Sequence, residues 1–568
     1  MNRLFKSALR NDQVCPLRRG VGGIVFMVDF RPFGSGLSLL SGLVLSLICT
    51  WSISPSHAAN PSSTETLQVE MERPIHPILI RNDYNTLVKI KIRASQKDTF
   101  LHSLKFSLRG TDDLKDIDSL QMFSTGDQEQ FSTTSHFGDA QSPSLDVTFR
   151  GSFRLRLGDN LFWLSCRLTE KASLDHRIDA SCVRIETQKE VVIPRDTKPR
   201  FQNRIGVALR RHFDDGIHTY RIPVLATTTQ GTLLVAYDAR RRRSRDLQED
   251  IDIGLLRSVN GGQTWEPQRI IMDMHEFGGL PQEQNGCSDP GIIVDPATGE
   301  IFVFAVWTWG RPGTHQWLVG GSDPGFEVGT TSQFMMVRSQ DDGKTWTEPV
   351  NLTRKLKLEK WILFVPAPQQ GTALEDGTLV MPVQGRDEQD RHFSTIMLSS
   401  DHGTTWSVQT PYPHNNTECQ AARLDNGSIM LNCRNDSSKT FRTIIVTSDL
   451  GKTWQPHPTS DNTLIEPSCN GSLYRFEWLR EDKTQSLFVF ANPHSQAGRT
   501  HQTIQVSLDE GNTWPKEYHL LLDEGRGKGY PSVSRIDGQH LGIVYEGSQA
   551  DLHFERISLD ELMTGQRR

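Results

Sequence analysis

A predicted β-hairpin places a carboxylate and a guanidinium in cross-strand register. Its turn at 425–427 reads Asp-Asn-Gly, which favours a tight hairpin turn and fixes which residues face each other. In that register Glu418 stands opposite Arg434, and Cys419 stands opposite Cys433. Because side chains alternate along a strand, the charged pair and the thiols face opposite sides. The charged pair fits a surface salt bridge or the wall of an anion site, and the opposed cysteines predict a disulfide that braces the hairpin.

Charged residues also lie at the ends of other predicted strands. Arg221 begins one strand, and Arg240 ends the next and opens a basic loop that closes with Asp246. Basic residues at a strand end suit an anionic ligand, although part of this loop also fits a merely solvated segment. Asp250 and Asp252 compete with Asp246 for an acidic role, but they alternate within a strand, which favours a structural role.

A second hairpin, at 529–546, offers two tyrosines and a carboxylate. Tyr545 alternates within an apolar strand, which is typical of a core residue, whereas Tyr530 comes before the first strand of the hairpin. Glu546 follows the second strand directly. Tyr530 is therefore the better candidate for chemistry.

Three arginines and one acid complete the candidates. Asp289 precedes a proline, so it fits an ordinary turn residue as well as a pocket acid. Arg499 comes shortly before the last copy of the repeat described next, and Arg386 and Arg442 rival it by composition only.

A short repeat organises the chain from about residue 206 onward. Each copy has a hydroxyl residue, then Asp or Asn two positions on, Gly at the fifth position, and Thr-Trp at the end. The acid can accept backbone N–H bonds across a turn, the Gly can take a positive φ, and the Trp can fold back as an apolar plug. One hairpin turn reused in successive four-stranded sheets predicts a six-bladed β-propeller over 200–565, with one blade lacking the turn. The five copies begin at Ser258, Ser339, Ser399, Thr447 and Ser507.

The segment at 62–194 has a different pattern. Apolar and polar residues alternate there with period two, which indicates half-buried antiparallel strands. The length suits a β-sandwich, and no catalytic constellation occurs in it, so we predict an accessory domain that packs or binds sugar. Residues 194–199 are predicted to be the linker, and the whole chain is predicted to be all-β.

The first 58 residues are typical of an export signal. Six basic residues precede an apolar run at 37–49, and Ser-His-Ala-Ala at 56–59 suits signal peptidase. The run is shorter than the roughly 20 residues that a spanning helix needs, so we expect cleavage and no membrane span in the mature protein. The protein is thus expected to be secreted, periplasmic or at the cell surface.

Composition excludes several classes of partner. The net charge is −6 and the pI about 6.3, which argues against nucleic acid as a ligand. Six cysteines follow the leader without a C-x-x-C pair, and the Asp-Asp-Gly at 341–343 lacks the distal Glu of a calcium loop. We therefore predict no metal site and no cofactor.

The repeats resemble the Asp boxes of sialidases, and Tyr-Arg-Ile-Pro at 220–223 resembles the Phe/Tyr-Arg-Ile-Pro motif of that superfamily. The resemblance covers about 206–555. Gly-Asp-Asn-Leu-Phe-Trp-Leu at 158–164 is similar, more weakly, to the N-terminal domain of some bacterial members. The resemblance implies a retaining exo-α-sialidase that removes terminal sialic acid from glycoproteins, glycolipids or oligosaccharides through a tyrosyl-enzyme intermediate.

Residue roles follow from the resemblance. Sialic acid carries a carboxylate on its anomeric carbon, so a cationic fork should bind it, and a tyrosine should replace the carboxylate nucleophile that this charge would repel. The implied roles are a clamp of Arg221, Arg434 and Arg499, the nucleophile Tyr530 activated by Glu418, the acid/base Asp246, the substrate contacts Arg240 and Asp289, and Glu546 as support for Arg221.

Other functions stay open. The same residues would serve a trans-sialidase or an anhydro-forming sialidase. A non-catalytic glycan-binding propeller predicts Asp boxes without this set of residues, and a glycosidase with two facing acids would need no arginine clamp.

Overall fold

The computed structural model of the protein describes residues 67–565, except 197–201, 247–248, 310–314, 316–317, 319, 413–414, 438–439 and 481–482. The predicted signal peptide lies outside the described residues. Nearly all regular structure is β, with two short helices, α1 (Thr353–Leu356) and α2 (Leu559–Thr564). Within the described ranges, no helix has the length and apolar character needed to cross a bilayer.

The N-terminal part is a sandwich of two sheets in which all strand pairs but one are antiparallel, and two short strands of this part belong to neither sheet. Its strands are β1 Leu67–Glu72, β2 Ile78–Ile80, β3 Asn85–Ala94, β4 Phe100–Ser107, β5 Ile117–Gly126, β6 Asp146–Arg154, β7 Gly158–Leu168, β8 Arg177–Ile178, β9 Ser181–Thr187, β10 Val191–Val192 and β11 Arg195–Asp196. One sheet has the order β11-β1-β3-β7-β5 and the other β10-β9-β4-β6. The alternation in β1, where every second residue is buried, shows how the period-two pattern turns one face inward.

Among the described residues, the larger part contains 25 strands, which lie in five sheets. They are β12 Asn203–Arg210, β13 Thr219–Thr227, β14 Leu233–Arg240, β15 Ile251–Ser258, β16 Arg269–Met272, β17 Asn285–Val294, β18 Ile301–Trp309, β19 Gln333–Ser339, β20 Val350–Asn351, β21 Leu363–Pro366, β22 Thr372–Ala373, β23 Leu379–Arg386, β24 His392–Ser399, β25 Ser407–Val408, β26 Asn416–Arg423, β27 Ile429–Asn435, β28 Thr443–Thr447, β29 Gln455–Pro456, β30 Ser472–Arg480, β31 Lys483–Pro493, β32 Thr500–Ser507, β33 Leu520–Arg526, β34 Pro531–Arg535, β35 His540–Tyr545 and β36 Leu552–Ser558. Four 3₁₀ turns occur at Leu114–Asp116, Asp214–Gly216, Gln282–Gln284 and Lys516–Tyr518.

These sheets follow each other along the chain as successive antiparallel meanders. The sheet β13-β14-β15-β17-β18-β19-β20 consists of two groups of strands, one from β13 to β15 and one from β17 to β20. The pairing of Ile251 with Gly286 joins the two groups. The next three are β21-β23-β24-β25, β26-β27-β28-β29 and β30-β31-β32-β33. The last, β2-β12-β36-β35-β34, pairs the first propeller strand with the final strand of the chain. The all-β class with an N-terminal sandwich and a propeller is as predicted, and the count of six blades stays a prediction.

The repeat turns have the contacts that the sequence predicts. In the second copy, Asp341 accepts hydrogen bonds from the backbone N–H of Lys344 and Thr345 at 3.1 and 2.8 Å. Gly343 has a φ of 78°, a conformation that suits glycine. The indole of Trp346 donates to the Gly343 carbonyl and packs partly buried against an apolar cluster. The turns thus stabilise the sheets and contain no chemistry of their own.

The sandwich and the propeller share one hydrophobic core. Strands β2 and β8 both pair with β12, and a single apolar cluster runs from Leu67 in the sandwich to Phe554 in the last sheet. Residues 195–196, which we predicted to be linker, form β11 and pair with β1. The prediction of an open linker was therefore wrong for these two residues, because their backbone completes a sheet.

The hairpin register is confirmed at the cysteines, but the disulfide is not. The strand pairing shifts between Asn416 and Cys419, and Glu418 meets Arg434 through a side-chain hydrogen bond of 3.0 Å at this irregularity. Cys419 pairs directly with Cys433, as predicted. Both are buried free thiols, as are the other four described cysteines. The Cys419 thiol lies 3.7 Å from the Val383 carbonyl of a neighbouring strand, to which it can donate a hydrogen bond.

Candidate active site

The innermost strands bulge where the candidate residues lie. The pairing of β13 with β14 shifts between Arg221 and Val224, and that of β17 with β18 shifts between Ser288 and Gly291. At each shift a residue before a proline has a positive φ, 54° at Ile222 and 55° at Asp289. Left-handed backbone is costly for a β-branched residue, so the surrounding structure must impose it. Bulges change the direction of side chains, and residues at both shifts line the same pocket.

That pocket is a cavity of about 230 Å³. It brings together seven of the nine predicted site residues, whereas Arg240 and Glu546 stand behind its wall. The volume is below the ~300 Å³ lower limit of drug-sized sites, which suits one sugar unit. Its lining comprises Arg221, Ile222, Asp246, Asp289, Gln384, His392, Thr417, Glu418, Arg434, Asp436, Arg499 and Tyr530.

Tyr530 lies at the centre of the pocket. Its hydroxyl donates to a Glu418 carboxylate oxygen at very short range and accepts from Nη1 of Arg434 at 2.9 Å. The same Nη1 contacts the other Glu418 oxygen at 3.0 Å. Burial, and after it the Glu418 charge, raise the pKa of Tyr530 well above its usual range, against the opposing effect of the nearby arginines. The tyrosine is therefore a neutral hydroxyl with a proton acceptor in contact.

Arg221 is held by one buried carboxylate. Glu546 accepts from Nε of Arg221 at 2.5 Å and from the backbone N–H of Ile222 and Tyr530 at 2.8 and 3.1 Å. Burial disfavours the charge of Arg221, but Glu546 and Asp246 together outweigh burial and raise the arginine pKa. Glu546 therefore fixes both an arginine and the backbone of the candidate nucleophile.

Arg499 is positioned without a carboxylate partner among the described residues. Its guanidinium donates to the carbonyls of Lys528 at 2.9 Å and Ser468 at 3.2 Å. The guanidinium carbons of Arg499 and Arg221 each lie 5.5 Å from the centre of the Tyr530 ring. Two cations therefore stand over the tyrosine, and Arg499 keeps its charge available for an anion.

Asp246 lies at the mouth of the pocket, with its side chain 45% exposed. It forms an ion pair with Nη1 of Arg240 and lies 3.6 Å from Nη1 of Arg221. Burial alone would raise its pKa, but Arg240 and Arg221 outweigh burial and lower the pKa to about 2. The unliganded pocket thus holds Asp246 as a carboxylate.

Sequence reasoning missed Asp238, which organises the floor beneath Asp246. Fully buried, it accepts from Nη2 of Arg240 at 2.8 Å, from the Ser288 hydroxyl at 2.6 Å and from the Asp289 backbone N–H at 3.0 Å. Burial, and next the charge of Asp238, raise the pKa of Asp289 well above its usual range. The raised pKa favours the protonated form of Asp289, which can donate as well as accept a hydrogen bond. The alternation of Asp238 with Arg240 on β14 was the only available signal.

A second missed pair lies beside Arg434. Asp436 forms an ion pair with Arg434, 3.2 Å from its Nε, and contacts Nδ1 of His392 at 3.0 Å. Burial opposes ionisation of Asp436, but His392 and Arg434 lower its pKa overall. His392 comes from a neighbouring sheet, so no local pattern could have identified it.

The rival residues lie elsewhere. Tyr545 is a core residue whose hydroxyl donates to Glu555 at 2.7 Å. Arg442 is fully buried and bound to Glu466, and Arg386 is bound to Asp390. Asp250 and Asp252 both lie near Arg241, outside the pocket lining. None of the groups of His, Cys, Asp and Glu in the described ranges has the arrangement of a metal site.

Fold and pocket together define an enzyme-like β-propeller that gathers a tyrosine, carboxylates and three arginines around a site for an anionic ligand. Comparison with known families agrees. Residues 231–543 match the BNR repeat-like domain, and residues 66–190 match the N-terminal domain of BNR-repeat neuraminidase.

Individual relatives point to the same family. A sialidase of Bacteroides fragilis is 34% identical over 86% of this chain and 94% of its own length. A sialidase of Micromonospora viridifaciens is 27% identical over 58% of this chain and 50% of its own length. The solved structure of the Hadza microbial sialidase Hz136 superposes with a TM-score of 0.80 at 35% identity, covering 86% of this chain and 99% of that one. The chain belongs to the BNR-repeat sialidases, a family of glycoside hydrolases.

Proposed function

We propose that the protein is a retaining exo-α-sialidase that releases terminal sialic acid from glycoproteins, glycolipids or oligosaccharides. The observation that supports this best is the contact of the Tyr530 hydroxyl with Glu418 and Arg434 inside a cavity that Arg221 and Arg499 also line. A cavity of about 230 Å³ favours one terminal sugar over an internal stretch of a chain.

The three arginines would bind the substrate carboxylate. Guanidinium groups stay charged and offer paired donors that match a carboxylate. Within the described part of the chain, the hydrogen-bond partners of Arg499 are backbone carbonyls. Arg434 and Arg221 each retain N–H donors beyond those that bind Glu418 and Glu546. The substrate's own carboxylate would repel a carboxylate nucleophile, and a neutral tyrosine avoids this repulsion.

Tyr530 would attack the anomeric carbon while Glu418 takes its proton. Asp246 would protonate the departing glycosidic oxygen. In the second half, Asp246 would take a proton from water and the water oxygen would bond to the anomeric carbon. The bond to Tyr530 would break, and Glu418 would return its proton to the phenolic oxygen. Two displacements return the original anomeric configuration.

The low pKa of Asp246 in the free pocket bears on this role. A general acid must hold a proton, but Arg240 and Arg221 keep Asp246 ionised. A substrate carboxylate on the clamp would offset the charge of Arg221 and so raise the pKa of Asp246. Arg240 and Asp289 would then contact polar groups of the ring.

The direct test is release of fluorophore from a fluorogenic α-sialoside by the mature protein. Tyr530→Phe should lose nearly all turnover, whereas Tyr545→Phe, which alters the core tyrosine, should keep it. NMR of the first product formed distinguishes retention from inversion, and product analysis with an added acceptor sugar distinguishes hydrolysis from transfer or an anhydro product. No release by the wild type, or full activity of Tyr530→Phe, contradicts the proposal.

We also propose that the protein is exported. The basic segment, the apolar run at 37–49 and the small residues at 56–59 support cleavage near residue 58. N-terminal sequencing of the protein from the medium or periplasm should begin near residue 59. An intact N-terminus in the cytoplasmic fraction would contradict export.

A further inference from the structure

A second cavity adjoins the pocket on the far side of the clamp. Its volume is about 590 Å³, and we call it the annex. Arg221 and Arg499 line both cavities, whereas Glu546 lines the annex alone, so the two guanidinium groups stand between the two spaces. The charged residues of the annex are Arg221, Arg499, Arg526, Lys528, Glu546 and Asp551.

The annex has more positive than negative charge. Glu546 is bound to Arg221, and Asp551 accepts the backbone N–H of Tyr220. In the described part of the chain, no carboxylate lies within 4.0 Å of the cationic atoms of Arg499, Arg526 or Lys528. The chain as a whole has a net charge of −6, so this cluster departs from its surroundings.

The loop that carries the outer cations is tied to the clamp. Nη1 of Arg499 donates to the Lys528 carbonyl at 2.9 Å, and the Gly527 N–H donates to the Arg499 carbonyl at 3.2 Å. A Cβ at Gly527 would clash with the carbonyl of Glu546, so glycine is required for this close approach. Arg526 and Lys528 are therefore held at a fixed place beside the third clamp arginine.

We propose that the annex binds a second anionic group, located on the aglycone of the substrate. The inference rests on the proposed function. In a sialoside, the carboxylate and the glycosidic oxygen are bonded to the same carbon. A cationic cavity next to the carboxylate clamp is thus within reach of the aglycone. The group can be the carboxylate of an inner acidic sugar or a sulfate ester on a neutral one.

The experiment compares three α-sialosides of one linkage series with the mature protein. One has a neutral lactose aglycone, one has an inner sialic acid, and one has a sulfated lactose. Arg526→Ala/Lys528→Ala should lower kcat/KM about tenfold for a doubly anionic substrate, as two exposed ion pairs allow, and change it less than twofold for the neutral aglycone. The exposed sandwich pair Lys97→Ala/Arg150→Ala is the matched control and should change neither.

A loss of kcat/KM that is restricted to a doubly anionic substrate supports the proposal. The substrate that shows the loss, with an inner sialic acid or with a sulfate, identifies the bound group as a carboxylate or a sulfate. The charge-conserving Arg526→Lys/Lys528→Arg variant should restore most of the lost kcat/KM. An equal loss on all three substrates indicates long-range attraction and overturns the proposal, as does no loss on any. If the wild type does not hydrolyse the neutral aglycone substrate, the proposed function itself has failed.

Discussion

Glu546→Gln tests whether one buried carboxylate positions the clamp. Glu546 is 2% exposed and accepts four hydrogen bonds, two from Arg221 and one each from the N–H of Ile222 and Tyr530. Glutamine has the same shape but only one acceptor oxygen. The NH₂ group of the glutamine must face N–H donors, with which it cannot form a hydrogen bond as an acceptor. Arg221 then keeps only Asp246, at 3.6 Å, as a counter-charge.

The size of the effect follows from these contacts. Breaking a buried ion pair by removing one charge costs about 3–5 kcal/mol. Because glutamine retains one good acceptor, we expect the lower end, a loss of about 3 kcal/mol in the free energy of unfolding. A clamp arginine displaced by about 1 Å should also lower kcat/KM by roughly 10²-fold.

Urea unfolding measures the first quantity and the fluorogenic α-sialoside the second. Glu375→Gln, which removes an 81% exposed partner of Arg423, is the control and should change both little. Unchanged unfolding of Glu546→Gln would refute the reading of its contacts. Lower stability with unchanged kcat/KM would make Glu546 a structural residue only and refute its link to substrate binding.

Three further outcomes are expected. Asp238→Asn should lower the free energy of unfolding by about 3 kcal/mol in urea titrations, because Arg240 then loses its buried partner. Asp341→Ala should lower the Tm whereas Asp341→Asn should not, because Asn260 already accepts the equivalent N–H bond at 3.0 Å in the first repeat. The pKa of Asp246 is depressed to about 2, so its stabilising ion pair is present above pH ~4 and lost towards pH 2. The Tm difference between wild type and Asp246→Asn should shrink over that range, and a difference that grows on acidification would contradict the ion pairing.

Much of the architecture is encoded locally and could be predicted. The repeat turns depend on contacts within eight residues, so the residue types at Ser339, Asp341 and Gly343 suffice to specify them. The turn at 425–427 sets the register that pairs Cys419 with Cys433. Family resemblance then supplied nine site residues, and seven of them line one cavity.

Other features depend on packing between distant segments. Asp238 matters because its carboxylate meets Ser288 and Asp289 from another strand, about 50 residues away in the chain. His392 reaches Asp436 across a boundary between sheets. The shared core likewise arises because β2 leaves the sandwich to pair with β12. No local pattern records such contacts, and the thiols of the hairpin show that opposed positions alone do not specify a bond.

The charges of the free pocket constrain how the proposed nucleophile can act. Burial and Glu418 favour the protonated Tyr530 hydroxyl and raise its pKa, whereas Arg434 and Arg499 act in the opposite direction. A bound substrate carboxylate would offset those two arginines, so substrate binding makes a free tyrosinate still less stable. The proton must therefore leave as the bond to the anomeric carbon forms, and Glu418, already in contact with the hydroxyl, is placed to receive it. On this reasoning the short Tyr530–Glu418 contact is a condition of catalysis, because no stored tyrosinate can take its place.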